Sequence, residues 1–222
     1  GVFKRYPDLI IENCSSGGLR IDYAMLSRYS IQSTSDQDNY LKYATIAANS
    51  PTGVTPEQSA IWTYPMNHEE EKVSEAELRE EVVFNMVNAI LLRVHQSGHL
   101  AKLDEERKEL VKEGLSVYKQ IRQDICKFYP FWPLGLSSFE DEWVSLGLRG
   151  KKKCYVAVWR REGKETTKSL PITGLKGVQA KVRCLYPSYS NERFEKKKKT
   201  GTLSVEFLKQ KMARLYEITW MD

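Results

Sequence analysis

The sequence predicts a chain of mixed class, α/β followed by all-β, with parallel βα units over residues 1–129 and an antiparallel β-sandwich over residues 130–222. Three observations predict it. Up to Tyr129, short apolar runs alternate with helix-like stretches, the order that parallel βα units impose. From Phe131 onward the segments become short and alternating, separated by glycine and proline at sandwich spacing. The 222 residues, 41% apolar and 28% charged with both signs mixed, are enough to bury a sizeable core and describe a globular chain.

Taken in order, Leu9-Ile10-Ile11 reads as a buried strand that ends in polar Glu12-Asn13-Cys14 and the loop Ser15-Ser16-Gly17-Gly18. Asp22 can cap a helix over residues 23–28, Ile31-Gln32-Ser33-Thr34 reads as a short strand, and residues 39–49 read as the next helix. Pro51-Thr52-Gly53-Val54-Thr55-Pro56 is expected as a brief strand bounded by prolines. Ser74-Glu75-Ala76-Glu77 is a capping box opening a helix that carries Leu78, Val82, Phe84, Val87 and Leu91. After Gly98, Asp104 caps another helix, whose Leu110, Gly114, Val117, Tyr118, Ile121 and Ile125 recur at three- and four-residue spacing and which ends before Pro130. Sandwich strands are expected over residues 143–148, 154–160, 180–185, 203–207 and 213–220.

The formal net charge of +5 is scattered apart from Lys151 to Lys153 and Lys196 to Lys199, and the second run precedes a strand as a solvated hairpin turn would. Nucleic-acid recognition motifs with interleaved aromatics are missing, so no nucleic-acid partner is expected. No run approaches the roughly 20 apolar residues needed to cross a bilayer, so no membrane partner is expected either. Cys14, Cys126, Cys154 and Cys184 form no Cys-x-x-Cys pair, which favours reduced thiols and a cytoplasmic location over a zinc site or a disulfide scaffold. No cofactor is implied. The opening Gly1-Val2-Phe3-Lys4-Arg5-Tyr6-Pro7 has neither an initiator Met nor a signal-peptide pattern, and is expected to begin mid-protein.

Two segments carry candidate chemistry. The glycines of Cys14-Ser15-Ser16-Gly17-Gly18, directly after a strand, let the backbone approach a ligand at the carboxyl end of a parallel sheet; the alternative is a tight turn with a structural thiol. The next strand ends in Thr34-Ser35-Asp36-Gln37-Asp38-Asn39. Glycoside cleavage needs one protonated carboxyl to donate to the leaving oxygen and a second, ionised one to attack or to activate water. Asp36 fits the first role, while by spacing alone both aspartates fit helix capping. His95 and His99 are four apart, as zinc-binding pairs on helices are, but Gly98 lies between them and no third ligand is near. Trp132, Trp143, Trp159 and Trp220 sit in sandwich strands, where aromatics are usually core, and Trp62 is better placed to approach a substrate.

The segments Glu12-Asn13-Cys14-Ser15-Ser16-Gly17-Gly18-Leu19-Arg20-Ile21-Asp22 and Thr34-Ser35-Asp36, at this separation, resemble the paired motifs of glycoside hydrolase family 36, the α-galactosidases. The likeness continues through Tyr64-Pro65, Phe84-Asn85, His95-Gln96-Ser97-Gly98-His99-Leu100 and Lys112-Glu113-Gly114. This resemblance implies the C-terminal part of a (β/α)8 TIM barrel over residues 1–129, a C-terminal β-sandwich domain over residues 130–222, and a retaining α-galactosidase acting on raffinose-type substrates. It makes Asp36 the general acid/base, lines the galactose pocket with Cys14, Gly17 and Gly18, and has Arg20 brace the loop through a carboxylate such as Asp22. The family is often oligomeric, which adds a homo-oligomer to the expectations. Many members carry Trp where this chain has Ser33 and Asp where it has Asn39, so the pocket wall is altered. The family's nucleophile, in a Lys-x-Asp strand before the cysteine motif, has no counterpart before Glu12; Asp8 opens a strand and is no substitute. The isolated chain is therefore expected to be inactive. A raffinose-synthase-like transglycosylase and a non-catalytic carbohydrate-binding or oligomerisation module remain as alternatives.

Overall fold

A computed structural model describes residues 1–14, 17–65 and 74–221; Ser15 and Ser16 of the serine–glycine loop lie outside the described residues. The first part runs through α1 (Val2–Arg5), β1 (Glu12–Asn13), α2 (Tyr23–Leu26), β2 (Ile31–Ser33), α3 (Tyr40–Asn49), β3 (Ser59–Thr63), α4 (Glu75–Ile90), β4 (Arg93–Gln96) and α5 (Glu105–Ile125). Its four strands pair in parallel in chain order, with a helix in each crossover.

The helix starts lie where their capping residues put them. Asp22 accepts from the Met25 amide at 3.0 Å, Asp104 from the Arg107 amide at 2.8 Å, and Ser74 and Glu77 form the reciprocal capping box. Gly114 lets α5 close on α4, since a Cβ there would lie 2.9 Å from Met86 Cε.

Three strand expectations are corrected. Leu9 and Ile10 are 44% and 66% exposed and extended ahead of the strand; pairing begins at Glu12, because β1 is an edge strand with only β2 beside it. Residues 51–56 are not a strand. Pro51 sits in the first turn of a 3₁₀ segment (Ser50–Thr52), where its fixed φ fits and its missing N–H costs nothing, and the strand lies at Ser59–Thr63 instead. Finally, β4 is an additional strand, and its polar Arg93 and His95 concealed it.

The second part contains β5 (Tyr129–Phe131), β6 (Trp143–Arg149), β7 (Lys153–Arg160), β8 (Thr167–Pro171), β9 (Ala180–Tyr186), β10 (Phe194–Lys197), β11 (Thr202–Glu206) and β12 (Met212–Trp220). An antiparallel five-stranded sheet has the order β5-β6-β7-β12-β9, and a three-stranded one the order β10-β11-β8. Strand alternation gives the larger sheet two apolar faces. Leu146, Leu148, Tyr155, Ala157 and Leu215 join the core built by α3, α4 and α5. Val156, Val158, Tyr216 and Ile218 pack with Leu170, Leu203 and Val205 of the smaller sheet. Lys196 and Lys197 belong to β10, and the hairpin turns over Lys198 to Gly201, whose φ is +70°.

Buried polar bonds join the helices to the second part. Trp132 Nε1 donates to the Ala48 carbonyl at 2.6 Å, Thr45 Oγ1 to the Ser138 carbonyl at 2.9 Å, and Arg161 to the carbonyls of Ser138 and Phe139. Trp143 and Trp159 are buried in the two cores, and Trp220 lies under the Arg149 guanidinium at 4.6 Å. These tryptophans are packing residues and share no exposed platform.

Candidate active site

The carboxyl ends of β1 and β2 bring the two candidate motifs together. Gly17 and Gly18 have φ of +76° and +83°, a conformation that favours glycine. A Cβ on Gly17 would lie 3.6 Å from the Asp36 amide nitrogen, and one on Gly18 would lie 2.7 Å from the Thr34 carbonyl oxygen. The glycine loop therefore rests on the backbone of the segment that carries Asp36. Cys14 and Asp36 are both exposed at this end of the sheet.

The helix-cap alternative for the aspartates does not hold. Asn39 is the N-cap of α3, its side-chain oxygen accepting from the amides of Leu41 and Lys42 at 3.0 and 3.1 Å. Short turns hold the intervening loop, with the Gln37 amide donating to Ser35 Oγ and the Asn39 amide to Gln37 Oε1. The Asp36 carboxylate makes no hydrogen bond or ion pair among the described residues and faces solvent.

Beneath it the backbone is held from both sides. Thr34 Oγ1 donates to the Ala60 carbonyl at 2.8 Å, and the Tyr43 hydroxyl donates to the Ser35 carbonyl at 3.2 Å while accepting from the Trp62 amide. Burial pushes the Tyr43 hydroxyl up to about 12, against the hydrogen bonds from Thr34 and Trp62 and with the charge of Asp36. Tyr64 is shifted up as well, by burial and then by Asp36 and Asp38, which places its ring within electrostatic reach of both.

Arg20 departs from expectation. Its guanidinium forms no ion pair among the described residues, because Asp22 caps α2; the Arg20 carbonyl instead accepts from Asn13 Nδ2 at 2.9 Å. Asn13 also donates to Gln32 Oε1 at 2.6 Å, which clamps β1 to β2.

One face of the parallel sheet is polar and concave. By register, Glu12, Ser33, Trp62 and His95 lie on it. In a flat sheet β1 and β4 would be about 14 Å apart, three strand spacings. Yet His95 Nδ1 lies 3.6 Å from Glu12 Oε1, so the sheet curls toward this face. Burial lowers the His95 pKa, opposed by Glu12 and aided by Arg93, so the ring is neutral at pH 7. His95 also packs perpendicular to Trp62, whose Nε1 donates to Ser33 Oγ at 3.0 Å. His95 is a strand residue with His99 beyond the strand end, so their four-residue spacing has no helical face to occupy. The joining of Glu12 to His95 had no local sequence signal; only recognising β4 would have revealed it.

A family model described as melibiase matches residues 1–128. The chain belongs to the melibiase family. The resemblance to glycoside hydrolase family 36 holds over the whole length. Among solved structures, the chain is similar to a variant of the α-galactosidase AgaA from Geobacillus stearothermophilus in complex with raffinose (17% identity, TM-score 0.77). It is also similar to the galactosidase domain of the α-galactosidase–sucrose kinase AgaSK (19%, 0.72) and to the α-galactosidase from Lactobacillus brevis (17%, 0.70). The matches cover 99%, 99% and 100% of this melibiase-family chain, and each takes up 30% of the other chain. At these identities the likeness establishes the fold. No curated protein sequence matches the chain.

Proposed function

We propose that this chain is part of a glycoside hydrolase acting on terminal α-galactosides, with Asp36 as general acid/base and with Cys14, Gly17 and Gly18 lining the galactose pocket. The observation that carries it is the seating of the glycine loop on the backbone of Thr34 to Asp36, which places an unpaired, exposed carboxyl beside a loop whose backbone a ligand can approach. Residues 1–129 are the C-terminal portion of a (β/α)8 barrel and residues 130–222 a β-sandwich domain. Parallel pairing, a helix in each crossover and curvature toward a polar face support the first assignment. Two antiparallel sheets with an apolar layer between them support the second.

The nucleophile belongs to a strand outside these residues, so a retaining reaction needs the longer protein. The 222-residue polypeptide alone should not hydrolyse nitrophenyl α-galactoside, whereas the product of the full reading frame should. In that longer protein, Asp36→Ala should slow raffinose cleavage far more than cleavage of a dinitrophenyl galactoside, whose leaving group needs no proton. Equal loss on both substrates would assign Asp36 a structural role. Hydrolysis by the isolated chain, abolished by Asp36→Ala, would place the nucleophile within it. A missing nucleophile also favours a second reading, a non-catalytic galactose-binding module, which predicts binding but no turnover in the longer protein too.

A further inference from the structure

Building on the galactoside reading, we propose that Trp62 determines the sugar specificity of this site, its indole being the flat surface on which the apolar face of a galactopyranoside lies. Trp62 stands on the concave polar face of the sheet, on β3, which pairs directly with the strand that runs into Asp36. The ring is half-buried, and two contacts fix it: Nε1 donates to the fully buried Ser33 hydroxyl at 3.0 Å, and His95 meets it at 82° with centroids 4.9 Å apart. A perpendicular neighbour takes at most one face of an indole, and the Nε1 donor is engaged, so what the ring offers a ligand is apolar area and not a hydrogen bond.

That matches galacto-configured sugars. Their axial 4-hydroxyl leaves the C–H groups at C3, C4 and C5 contiguous on one face of the ring. In a glucoside these C–H groups are split between the faces. Ser33 and His95 are positioning residues: they touch the indole, and they set its angle. Glu12 in turn holds His95 at 3.6 Å.

The test titrates the 222-residue polypeptide with methyl α-galactoside and methyl α-glucoside while the indole N–H resonances of the tryptophans are followed by NMR, Trp62 being assigned from Trp62→Phe. The galactoside should shift the Trp62 signal together with the amides of residues 34–36, and the glucoside should bind more weakly. Trp62→Ala should weaken galactoside binding about tenfold and narrow the preference over glucoside, while Trp62→Phe should stay within about threefold. Ser33→Ala should narrow the preference while the ring is retained. If the amides of residues 34–36 shift but Trp62 does not, and Trp62→Ala binds as tightly as the parent, the assignment of Trp62 is wrong and the galactoside reading stands. If no signal moves at the highest sugar concentration, the galactoside reading fails and the Trp62 assignment with it. Should Trp62→Ala not fold, the parent titration and Trp62→Phe decide.

Discussion

Replacing Arg214 by methionine strands two carboxylates inside the protein. Arg214 is fully buried on β12. Its Nη1 and Nη2 donate to Glu80 at 2.7 and 2.9 Å, its Nε donates to Glu192 at 2.9 Å, and Nη2 also reaches the other Glu192 oxygen. Glu80 lies on α4 and Glu192 between β9 and β10, so a single guanidinium ties the helical layer, the larger sheet and a loop together. Without it, carboxylates only 17% and 14% exposed remain with no cation on the face that Arg214 filled. Removing one partner of a buried pair costs about 3–5 kcal/mol. For a chain of this size that lowers Tm by roughly 6–20 °C.

Urea unfolding at pH 7, followed by circular dichroism, measures the loss. The triple variant Arg214→Met/Glu80→Gln/Glu192→Gln removes the stranded charges as well and should regain at least half of it. The pH dependence supplies an independent sign. Burial pushes the Glu192 carboxyl up, but the hydrogen bonds and charge of Arg214, with help from Ser190, hold it below its usual 4.5. A carboxyl that is more acidic when folded contributes stability that is complete above 4.5 and is lost as pH falls through the depressed value. In Arg214→Met the burial remains and the compensation is gone, so the carboxyls become less acidic than in the unfolded chain. The variant should then gain stability as pH falls from 7 toward 5, where the parent stays flat. A single-variant cost below about 1 kcal/mol, or a triple variant weaker than the single, would refute the stranded-charge account.

Gly18→Ala should destabilise the chain more than Gly17→Ala in thermal denaturation: both add about 1 kcal/mol or more of left-handed strain, but only Gly18 also drives a Cβ to 2.7 Å from the Thr34 carbonyl. Galactoside affinity should fall with it. Because the folded His95 pKa is lowered, the unfolded chain binds that proton first, so stability should begin to fall as pH drops through 6.5 and level off below the folded value. His95→Gln should remove that slope; an unchanged slope would assign it to other groups. With Ellman's reagent, exposed Cys14 and Cys126 should react in the native protein, whereas Cys154, which burial pushes up to about 12, and the largely buried Cys184 should react only after unfolding.

The features readable from sequence were those whose cause is local. Asp22, Ser74 with Glu77, and Asp104 each satisfy amides within three residues, so a short window contains both partners. The large-sheet strands were readable because burial on both faces makes them apolar throughout, as in Cys154-Tyr155-Val156-Ala157-Val158-Trp159. The parallel strands were harder. Glu12-Asn13 and Arg93-Val94-His95-Gln96 are short, and one face of each carries polar side chains, so they carry the composition of loops.

Asp36 shows where sequence spacing stops deciding. Asp36, Asp38 and Asn39 all have side chains able to cap α3, and which one does so depends on the backbone phase at which the helix begins. That phase is set by tertiary contacts: Tyr43, one turn into α3, is anchored through its hydroxyl to the Ser35 carbonyl and the Trp62 amide. With Tyr43 held there, the first helical residue is Tyr40 and the cap is Asn39. Asp36 is thereby released from capping and left at the surface beside Gly17. The same tyrosine that fixes the helix start thus decides that Asp36 is available for chemistry, and Tyr43→Phe should disturb the carboxyl's position without touching any residue of the glycine loop.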